Sequence, residues 1–256
     1  MKKNHNFFSN LAFSIAENHL GKTKNNPSVG CVIVKNDTVI GSAATSLGGR
    51  PHAEFNALNN KVDYRGSDMY VTLEPCTHYG LTPPCTNIIK KKGIKRVFYN
   101  FDDPDQRTFR KSHHILKKKI LKLKNIKDEF KNFYSCYYLN KKQQLPFVDA
   151  KIAISKDFYT INKNSKWITN LRSRRVSHLI RSKYDAIIST SKSINKDNSL
   201  LNCRINGLNN SKPDLIIIDR NLKLKKNLKL LKITKIRKTY IFTNKNDDKK
   251  ISFFKK

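Results

Sequence analysis

The fold of the first part of the chain is decided by two stretches, Pro51-His52-Ala53-Glu54 and Pro75-Cys76-Thr77-His78-Tyr79-Gly80-Leu81-Thr82-Pro83-Pro84-Cys85. One imidazole, from His52, and two thiolates, from Cys76 and Cys85, form a ligand set that zinc prefers, and three protein ligands leave a fourth tetrahedral position for water. Glu54 lies two residues after His52, so a helix starting there brings its carboxylate within reach of that water. The pattern predicts a catalytic zinc site in which Glu54 carries the proton.

The combination of residues matters more than any one of them. A single histidine is more often a surface or core residue, and two cysteines in a reducing cell are often small buried hydrophobic residues. His-x-Glu followed by Pro-Cys and a second cysteine is close to the signature of zinc deaminases that act on cytosine-like or adenine-like rings. The predicted reaction exchanges a ring amine for a carbonyl.

The chain is strongly basic, with 52 Lys and Arg against 19 Asp and Glu, a formal net charge of +33 over 256 residues. Such a balance can indicate a nucleic-acid partner. The lysines are spread through the sequence, beside Asn and Ile, and form no single basic arm with interleaved aromatic residues. We therefore expect the charge to attract phosphorylated small molecules. A basic RNA-binding or RNA-deaminating protein on the same fold is the alternative.

Cysteine usage and hydropathy suggest a cytoplasmic protein with no membrane partner. Beyond the two cysteines of the metal pattern, Cys31, Cys136 and Cys203 form no readable disulfide framework, which fits a reducing cytosol. The first residues do not form a continuous apolar core, so we expect no signal peptide. No uninterrupted apolar stretch approaches the roughly 18 residues of a membrane helix.

Hydrophobic periodicity predicts a three-layer α/β domain over residues 1–144. Gln143-Gln144-Leu145-Pro146 resembles a linker, so a second domain is predicted over residues 145–256. In the first domain we predict a helix over 8–20 closed by Gly21, strands over 31–34 and 38–40, a helix after 52, a strand over 69–73, a helix over 86–92, a strand over 96–99 and a mostly helical segment over 111–142. In the second we predict strands over 147–154, 186–188, 215–219 and 240–242, and a helix over 171–182.

The motifs and their order resemble those of the bifunctional riboflavin-biosynthesis deaminase-reductases, over about residues 8 to 242. The sharpest feature is the spacing of eight residues between Cys76 and Cys85, where nucleic-acid deaminases usually carry a tight Cys-x-x-Cys pair. The segments that carry the resemblance are Asn26-Pro27, Val29-Gly30-Cys31, the residues His78, Gly80, Thr82, Pro83 and Pro84, Lys151 with Ala153 and Ser155, Ser165-Lys166-Trp167-Ile168-Thr169, and the run from Asp197 to Arg204.

The resemblance implies a cytidine-deaminase-like domain followed by a truncated dihydrofolate-reductase-like α/β domain. The first would hydrolyse a ring amine of a diamino-ribosylamino-pyrimidinone 5′-phosphate to give ammonia and an amino-uracil ribotide. The second would use NADPH to open the ribose to ribityl. By the same resemblance, the substrate would be bound by Asn26, His78, Ser165, Arg181, Leu201 and Arg204, and NADPH by Trp167, Ser193 and Asp197.

This sequence departs from the family's pattern at several positions. Leu81 stands where the family usually has a basic residue, Thr45 where it has a histidine, Asp105 where it has an asparagine and Phe158 where it has a glycine. The reductase half also stops before a glutamate and a glycine-rich loop of the family. We therefore expect a deaminase with a weakened NADPH-dependent reductase. The alternative is a deaminase with a vestigial second half. A separate reductase chain could complete the second half, and a homo-oligomer is the other expected partner state.

Overall fold

The computed structural model describes residues 4–160, 167–208 and 213–255, and for residues 233–236 the backbone only. It divides into two compact units, residues 1–149 and 150–256. The first unit contains α1 (His5–Glu17), β1 (Gly30–Lys35), β2 (Thr38–Ala44), α2 (Ala53–Ala57), β3 (Asp68–Leu73), α3 (Cys85–Lys91), β4 (Arg96–Phe101), α4 (Ser112–Leu116), β5 (Ile120–Lys122) and α5 (Ser135–Gln143), with single 3-10 turns at Lys117–Lys119 and Asp128–Phe130.

The strands of the first unit form one sheet in the order β2-β1-β3-β4-β5. β1 is antiparallel to β2 and β3, whereas β3, β4 and β5 are parallel. Successive side chains of a strand point to opposite faces. Cys31 and Ile33 accordingly join one apolar cluster, with residues of α2 and α3, while Val32 and Val34 join another, with residues of α1. The predicted three-layer α/β arrangement is confirmed.

Helix α1 packs close against β1 because residue 30 has no side chain. A Cβ atom on Gly30 would lie 1.9 Å from the carbonyl oxygen of Ala12. The side chain of Asn4 caps the helix by accepting a hydrogen bond from the Phe7 amide. The helix begins and ends about three residues earlier than predicted, at His5 and Glu17, and turns follow it before Gly21.

The segment from Lys111 to Lys142 is not the mostly helical stretch that its composition predicts. Residues Ile120–Lys122 form β5, which runs parallel to β4 and pairs Ile120 with Val97. The isolated apolar residues of this segment fit a helix or a short strand equally well. These residues form a strand because the edge of β4 offers them hydrogen-bond partners. Local periodicity does not show that such an edge is present.

The second unit contains α6 (Leu171–Ser182), β6 (Ala186–Thr190), α7 (Ser191–Asp197), β7 (Asp214–Ile218), β8 (Thr239–Phe242) and α8 (Asp248–Phe254), with a 3-10 segment at Lys229–Ile236. Its three strands form a parallel sheet in the order β6-β7-β8. The strand predicted over 147–154 is wrong, because no described strand offers it a partner and its residues are largely exposed. In the described parts of the chain, no helix has the length and apolar character needed to cross a bilayer.

One face of the second unit's sheet is buried and the other is open. Leu215 and Ile217 are fully buried in a cluster with Ile194, whereas Ile218 and Phe242 on neighbouring strands are 44% and 57% exposed. An alternating pattern of this kind is expected of a sheet covered on one side only. The described part of the second unit thus leaves apolar strand residues in contact with solvent.

Candidate active site

The loop before α2 holds His52 at the N-terminal end of that helix. His52 is the N-cap residue, with extended backbone angles, and Glu54 lies in the first turn. Gly49 lets the loop approach the segment that contains Asn26, because a Cβ atom there would lie 2.5 Å from the carbonyl oxygen of Thr23. The φ angle of Gly49, +94°, also favours glycine. The predicted helix start at His52 is therefore observed.

The loop between β3 and α3 brings Cys76 and Cys85 to the same point. Cys85 is the first residue of α3, and its amide donates a hydrogen bond to the Cys76 sulfur at 3.2 Å. The His52 Nδ1 atom lies 3.6 Å from the Cys76 sulfur and 3.4 Å from the Cys85 sulfur. The three ligand atoms all lie within 4.8 Å of one another.

These distances fit a tetrahedral zinc ion. Zinc bonds of about 2.0–2.3 Å to nitrogen and sulfur place ligand atoms roughly 3.4–3.8 Å apart at tetrahedral angles. One imidazole and two thiolates are also the donor set that zinc accepts in catalytic sites with an open position. The arrangement therefore suits the metal that the sequence motif predicts.

Glu54 is buried next to this cluster, with 4% of its surface exposed. Burial raises the pKa of its carboxyl group to about 7, and the charge of His52 opposes that rise. A carboxyl group with a pKa near neutrality can both accept and donate a proton at the pH of a cell. Glu54 has the environment that a general acid and base requires.

The Cys76 sulfur is held as a thiolate. Hydrogen bonds from the Cys85 thiol, from His52 and from the Cys85 amide lower the pKa of Cys76 to about 4, although burial opposes this. A thiolate, and not a thiol, binds metal ions. At neutral pH this sulfur is ready to coordinate a cation.

A cleft opens over the cluster at the carboxyl end of β3. It encloses about 640 Å³ of space, part of which is open solvent. The residues that line it are Asn26, Pro27, Val29, Thr45, Arg50, His52, Glu54, Leu73, Glu74, Cys76, His78, Gly80, Asp103, Asp105, Arg107, Tyr137 and Lys141.

Asn26 and His78, the two substrate residues predicted for the first unit, both line this cleft. The Asn26 amide nitrogen donates to the Gly49 carbonyl at 2.9 Å, so this side chain is fixed by the loop that carries His52. The His78 ring lies 3.1 Å from the Thr108 hydroxyl. Burial, and then the charge of Arg107, lower the pKa of His78, which leaves the ring neutral at pH 7.

Thr45 is a structural residue in this chain. Its side-chain oxygen accepts a hydrogen bond from the Val29 amide at 3.0 Å, and its carbonyl oxygen lies 2.6 Å from the His19 ring. The side chain is buried, with 1% exposed. Thr45 thus ties the segment after Asn26 to the end of β2, where it supports one wall of the cleft.

The loop of residues 103–112, here called the rim loop, is anchored by the buried carboxylate of Glu74 at the end of β3. This carboxylate accepts hydrogen bonds from the amides of Asp103, Arg110 and Ser112 at 3.3, 2.9 and 3.2 Å, and from the Ser112 hydroxyl at 2.6 Å. Four donors on one buried carboxylate hold the loop firmly against the strand. Glu74 therefore positions the rim loop beside the cleft.

The rim loop carries a charged cluster into the cleft. Arg107 donates to both carboxylate oxygens of Asp105, at 2.9 and 2.6 Å, and the Lys141 ammonium lies 3.5 Å from the same carboxylate. The hydrogen bond from Arg107, the largest effect, lowers the pKa of Asp105. The charge at position 105 is thus neutralised by its neighbours.

Of the substrate residues predicted in the second unit, Ser165 lies outside the described residues. Arg181 and Arg204 converge on Asn202: Arg181 donates to its carbonyl oxygen at 3.1 Å and Arg204 to its side-chain oxygen at 2.8 Å. Leu201 precedes this residue and has a φ angle of +49°. Neither guanidinium has a carboxylate partner among the described residues, so together they could hold an anionic group.

The predicted NADPH residues are not brought together by any described contact. Trp167 is 55% exposed, with the Arg174 guanidinium 4.5 Å from its ring centre. Ser193 and Asp197 lie one turn apart on the seven-residue helix α7, where the Ser193 amide donates to Thr190, the N-cap. Among the residues that the structure describes, these three positions are not joined in a phosphate cradle.

Sequence reasoning missed Arg50, Arg107, Tyr137 and Lys141 as residues of the cleft. Arg50 lies two residues before His52, and this short separation was a usable signal. Tyr137 and Lys141 belong to α5, and only tertiary packing brings that helix to the carboxyl end of β3 and β4. A cation in a chain with 52 of them gives no sign of its position.

Comparisons with known protein families agree with the two-part organisation. Residues 2–101 match the cytidine and deoxycytidylate deaminase zinc-binding region. Residues 146–255 match the RibD C-terminal domain.

Curated relatives carry the name riboflavin biosynthesis protein RibD. The protein from Aquifex aeolicus is 33% identical over 247 residues, which cover 94% of this chain and 69% of the relative. The protein from Bacillus amyloliquefaciens is 34% identical over 204 residues, which cover 78% of this chain. The match spans 55% of the length of that relative.

Solved structures of similar proteins share this fold. A diaminohydroxyphosphoribosylaminopyrimidine deaminase/5-amino-6-(5-phosphoribosylamino)uracil reductase from Thermotoga maritima is 30% identical with a TM-score of 0.83, and the match covers 95% of this chain and 70% of that one. A form of Acinetobacter baumannii RibD is 29% identical with a TM-score of 0.80, covering 98% and 72%.

Proposed function

The chain belongs to the RibD family of riboflavin-biosynthesis proteins, and we propose that residues 1–144 form a zinc-dependent deaminase of a diamino-ribosylamino-pyrimidinone 5′-phosphate. The products are ammonia and an amino-uracil ribotide. The observation that carries this proposal is the convergence of His52, Cys76 and Cys85 beside the buried carboxyl group of Glu54. The cleft above them is lined by polar and charged side chains that could contact a small polar molecule.

His52, Cys76 and Cys85 would hold the zinc ion. When bound, zinc acts as a Lewis acid that lowers the pKa of a coordinated water towards about 7. Glu54 would take a proton from the water that attacks the ring carbon and pass it to the departing amine. The carbon–oxygen bond forms, the carbon–nitrogen bond breaks, ammonia leaves and a carbonyl remains. Burial raises the pKa of Glu54, which suits a carboxyl group that must both take up and release a proton.

Asn26 and His78 would bind the substrate within the cleft. Both line it, and both are fixed by hydrogen bonds to neighbouring loops. A neutral His78 presents one donor and one acceptor nitrogen, of which one faces Thr108. The other nitrogen can make a hydrogen bond with a polar group on the heterocycle.

The direct experiment combines metal analysis with an ammonia assay. The purified protein should contain about one zinc ion per chain and release ammonia from the ribotide, while cytidine serves as the control substrate and should release none. Zinc-loaded protein that releases no ammonia from the ribotide would contradict the proposed deaminase function.

For the second unit, residues 145–256, we propose a weakened NADPH-dependent reductase. The match to the RibD C-terminal domain supports it, as does the pair of cations at Arg181 and Arg204, which could bind a ribose phosphate with Ser165 and Leu201. Trp167, Ser193 and Asp197 are the proposed contacts to NADPH. Their described contacts form no nucleotide cradle, so no hydride step is assigned to them.

The two alternatives for the second unit differ in one measurement. Protein mixed with NADPH and the deaminated product should oxidise the nicotinamide slowly if the reductase is weakened and not at all if this half is vestigial. Light scattering then shows whether a second copy of the chain is present. Adding a separate reductase chain to the same nicotinamide assay shows whether that chain supplies the missing activity. We place this protein in the cytosol, as its free cysteines suggest.

A further inference from the structure

Three cations line the cleft, and they differ in their partners. Arg107 is paired with the Asp105 carboxylate through two hydrogen bonds, and Lys141 lies against the same carboxylate at 3.5 Å. Arg50 has no carboxylate partner among the described residues. Within the described structure, therefore, no neighbouring carboxylate neutralises the positive charge of Arg50, whereas Arg107 and Lys141 share the Asp105 carboxylate.

Arg50 is held in place without using up its hydrogen-bonding capacity. One guanidinium nitrogen, Nη1, donates to the Thr82 hydroxyl at 2.6 Å. The other, Nη2, lies over Gly80, 3.4 Å from where a Cβ atom would be. A guanidinium has five N–H donors in a planar fork, so several remain for a ligand. The side chain is half-buried, which strengthens a charged contact relative to bulk water.

The position of Arg50 links the two loops that carry the metal-binding residues. It lies two residues before His52, and Thr82 belongs to the loop between Cys76 and Cys85. Leu81, beside Thr82, is 89% exposed and brings no charge to this side of the cleft. A planar guanidinium with free N–H donors at this position can donate hydrogen bonds to the oxygens of a phosphate monoester.

We propose that Arg50 binds the phosphate of the substrate and thereby determines that the deaminase acts on a phosphorylated ribosyl-pyrimidine. The inference rests on the proposed deaminase function. Arg107 is less suited to this role, because a phosphate would have to displace the Asp105 carboxylate that already occupies its fork. Lys141 shares that carboxylate, so it provides a matched control of equal charge on the same cleft.

The test compares two substrates, the ribotide and the riboside that lacks its phosphate, in zinc-loaded wild-type, Arg50→Gln and Lys141→Gln proteins. Arg50→Gln should raise KM for the ribotide at least about tenfold and leave kcat for the ribotide within about twofold of the wild type. KM and kcat for the riboside should also stay within about twofold of the wild type. Lys141→Gln should change KM for the ribotide less than about threefold. Leu81→Lys added to Arg50→Gln should recover part of the lost affinity, because it returns a cation to this side of the cleft.

Binding gives a readout that does not depend on turnover. Ribose 5-phosphate should bind the wild type in calorimetry and lose at least about tenfold in affinity in Arg50→Gln, while ribose should bind neither. Inorganic phosphate should compete with the ribotide in the wild type only. Arg50→Lys keeps the charge without the fork and should give an intermediate KM if Arg50→Gln fails to fold.

An equal rise in KM for ribotide and riboside in Arg50→Gln would overturn the proposal, as would a larger ribotide-specific loss in Lys141→Gln. If instead the wild type releases no ammonia from either substrate, the deaminase function itself has failed. The two failures are thus distinguished by the wild-type assay alone.

Discussion

The Nδ1 atom of His52 lies 3.4 Å from the sulfur of Cys85, although 33 residues separate them in the chain. The contact joins the N-terminal ends of α2 and α3, two short helices that pack next to each other on one face of the sheet. Neither helix could bring the two ligands together alone. The sheet sets the spacing of the metal-binding residues, so the stability of the fold and the affinity for zinc are coupled.

Replacement of Cys85 by serine should weaken zinc binding by more than about 100-fold, since even the outer partners of metal ligands are worth about 10- to 100-fold. Competition with a chromophoric chelator measures this affinity. Cys136, which is exposed, provides the control: Cys136→Ser should bind zinc as the wild type does. Unchanged zinc affinity in Cys85→Ser would show that this sulfur is not a ligand.

Replacement of Glu74 by glutamine should lower the free energy of unfolding by about 2 kcal/mol, because an amide cannot accept all the hydrogen bonds that Asp103, Arg110 and Ser112 donate to the carboxylate. KM for the ribotide should rise as the rim loop loosens. Urea denaturation measures the stability. Glu17→Gln, at an exposed site, should stay within about 0.5 kcal/mol of the wild type, and an equal loss in both variants would contradict the anchoring role.

Alanine at position 49 should destabilise the protein more than alanine at position 48. Both glycines have a positive φ angle, so each substitution carries the left-handed backbone cost of about 1–2 kcal/mol. Only at Gly49 does the added Cβ atom meet other atoms, at 2.5 Å from the Thr23 oxygen and 2.9 Å from the Asn26 amide. Thermal unfolding and KM for the ribotide should both separate Gly49→Ala from Gly48→Ala. Equal effects would mean that the loop does not depend on this close approach.

Local patterns predict the first unit well. The short, continuous apolar runs of β1 and β3 predict strands that are buried on both faces. The Asn36-Asp37 turn with two positive φ angles and the position of Cys85 at a helix start also follow from residue type and spacing. The metal-binding set needs no tertiary information, because the chemistry of an imidazole and two thiolates restricts what they can bind.

Features that depend on a partner far away in the sequence could not be predicted from local patterns. Strand β5 exists because β4 offers a free edge, and the segment 147–154 is not a strand because no described strand pairs with it. Lys141 reaches the cleft through the packing of α5. A local pattern cannot show which of many Lys and Arg side chains will lie beside a carboxylate. The ion pairs of the cleft are therefore visible only in the structure.

The most direct test of the account is Glu54→Gln, assayed for zinc content and for ammonia release from the ribotide. Glutamine keeps the shape of the side chain but cannot carry a proton, so zinc should stay at about one ion per chain while kcat falls by about 10²- to 10⁴-fold. Glu129→Gln, at an exposed carboxylate, should retain both zinc and turnover. A Glu54→Gln protein that holds zinc and releases ammonia at the wild-type rate would contradict the account.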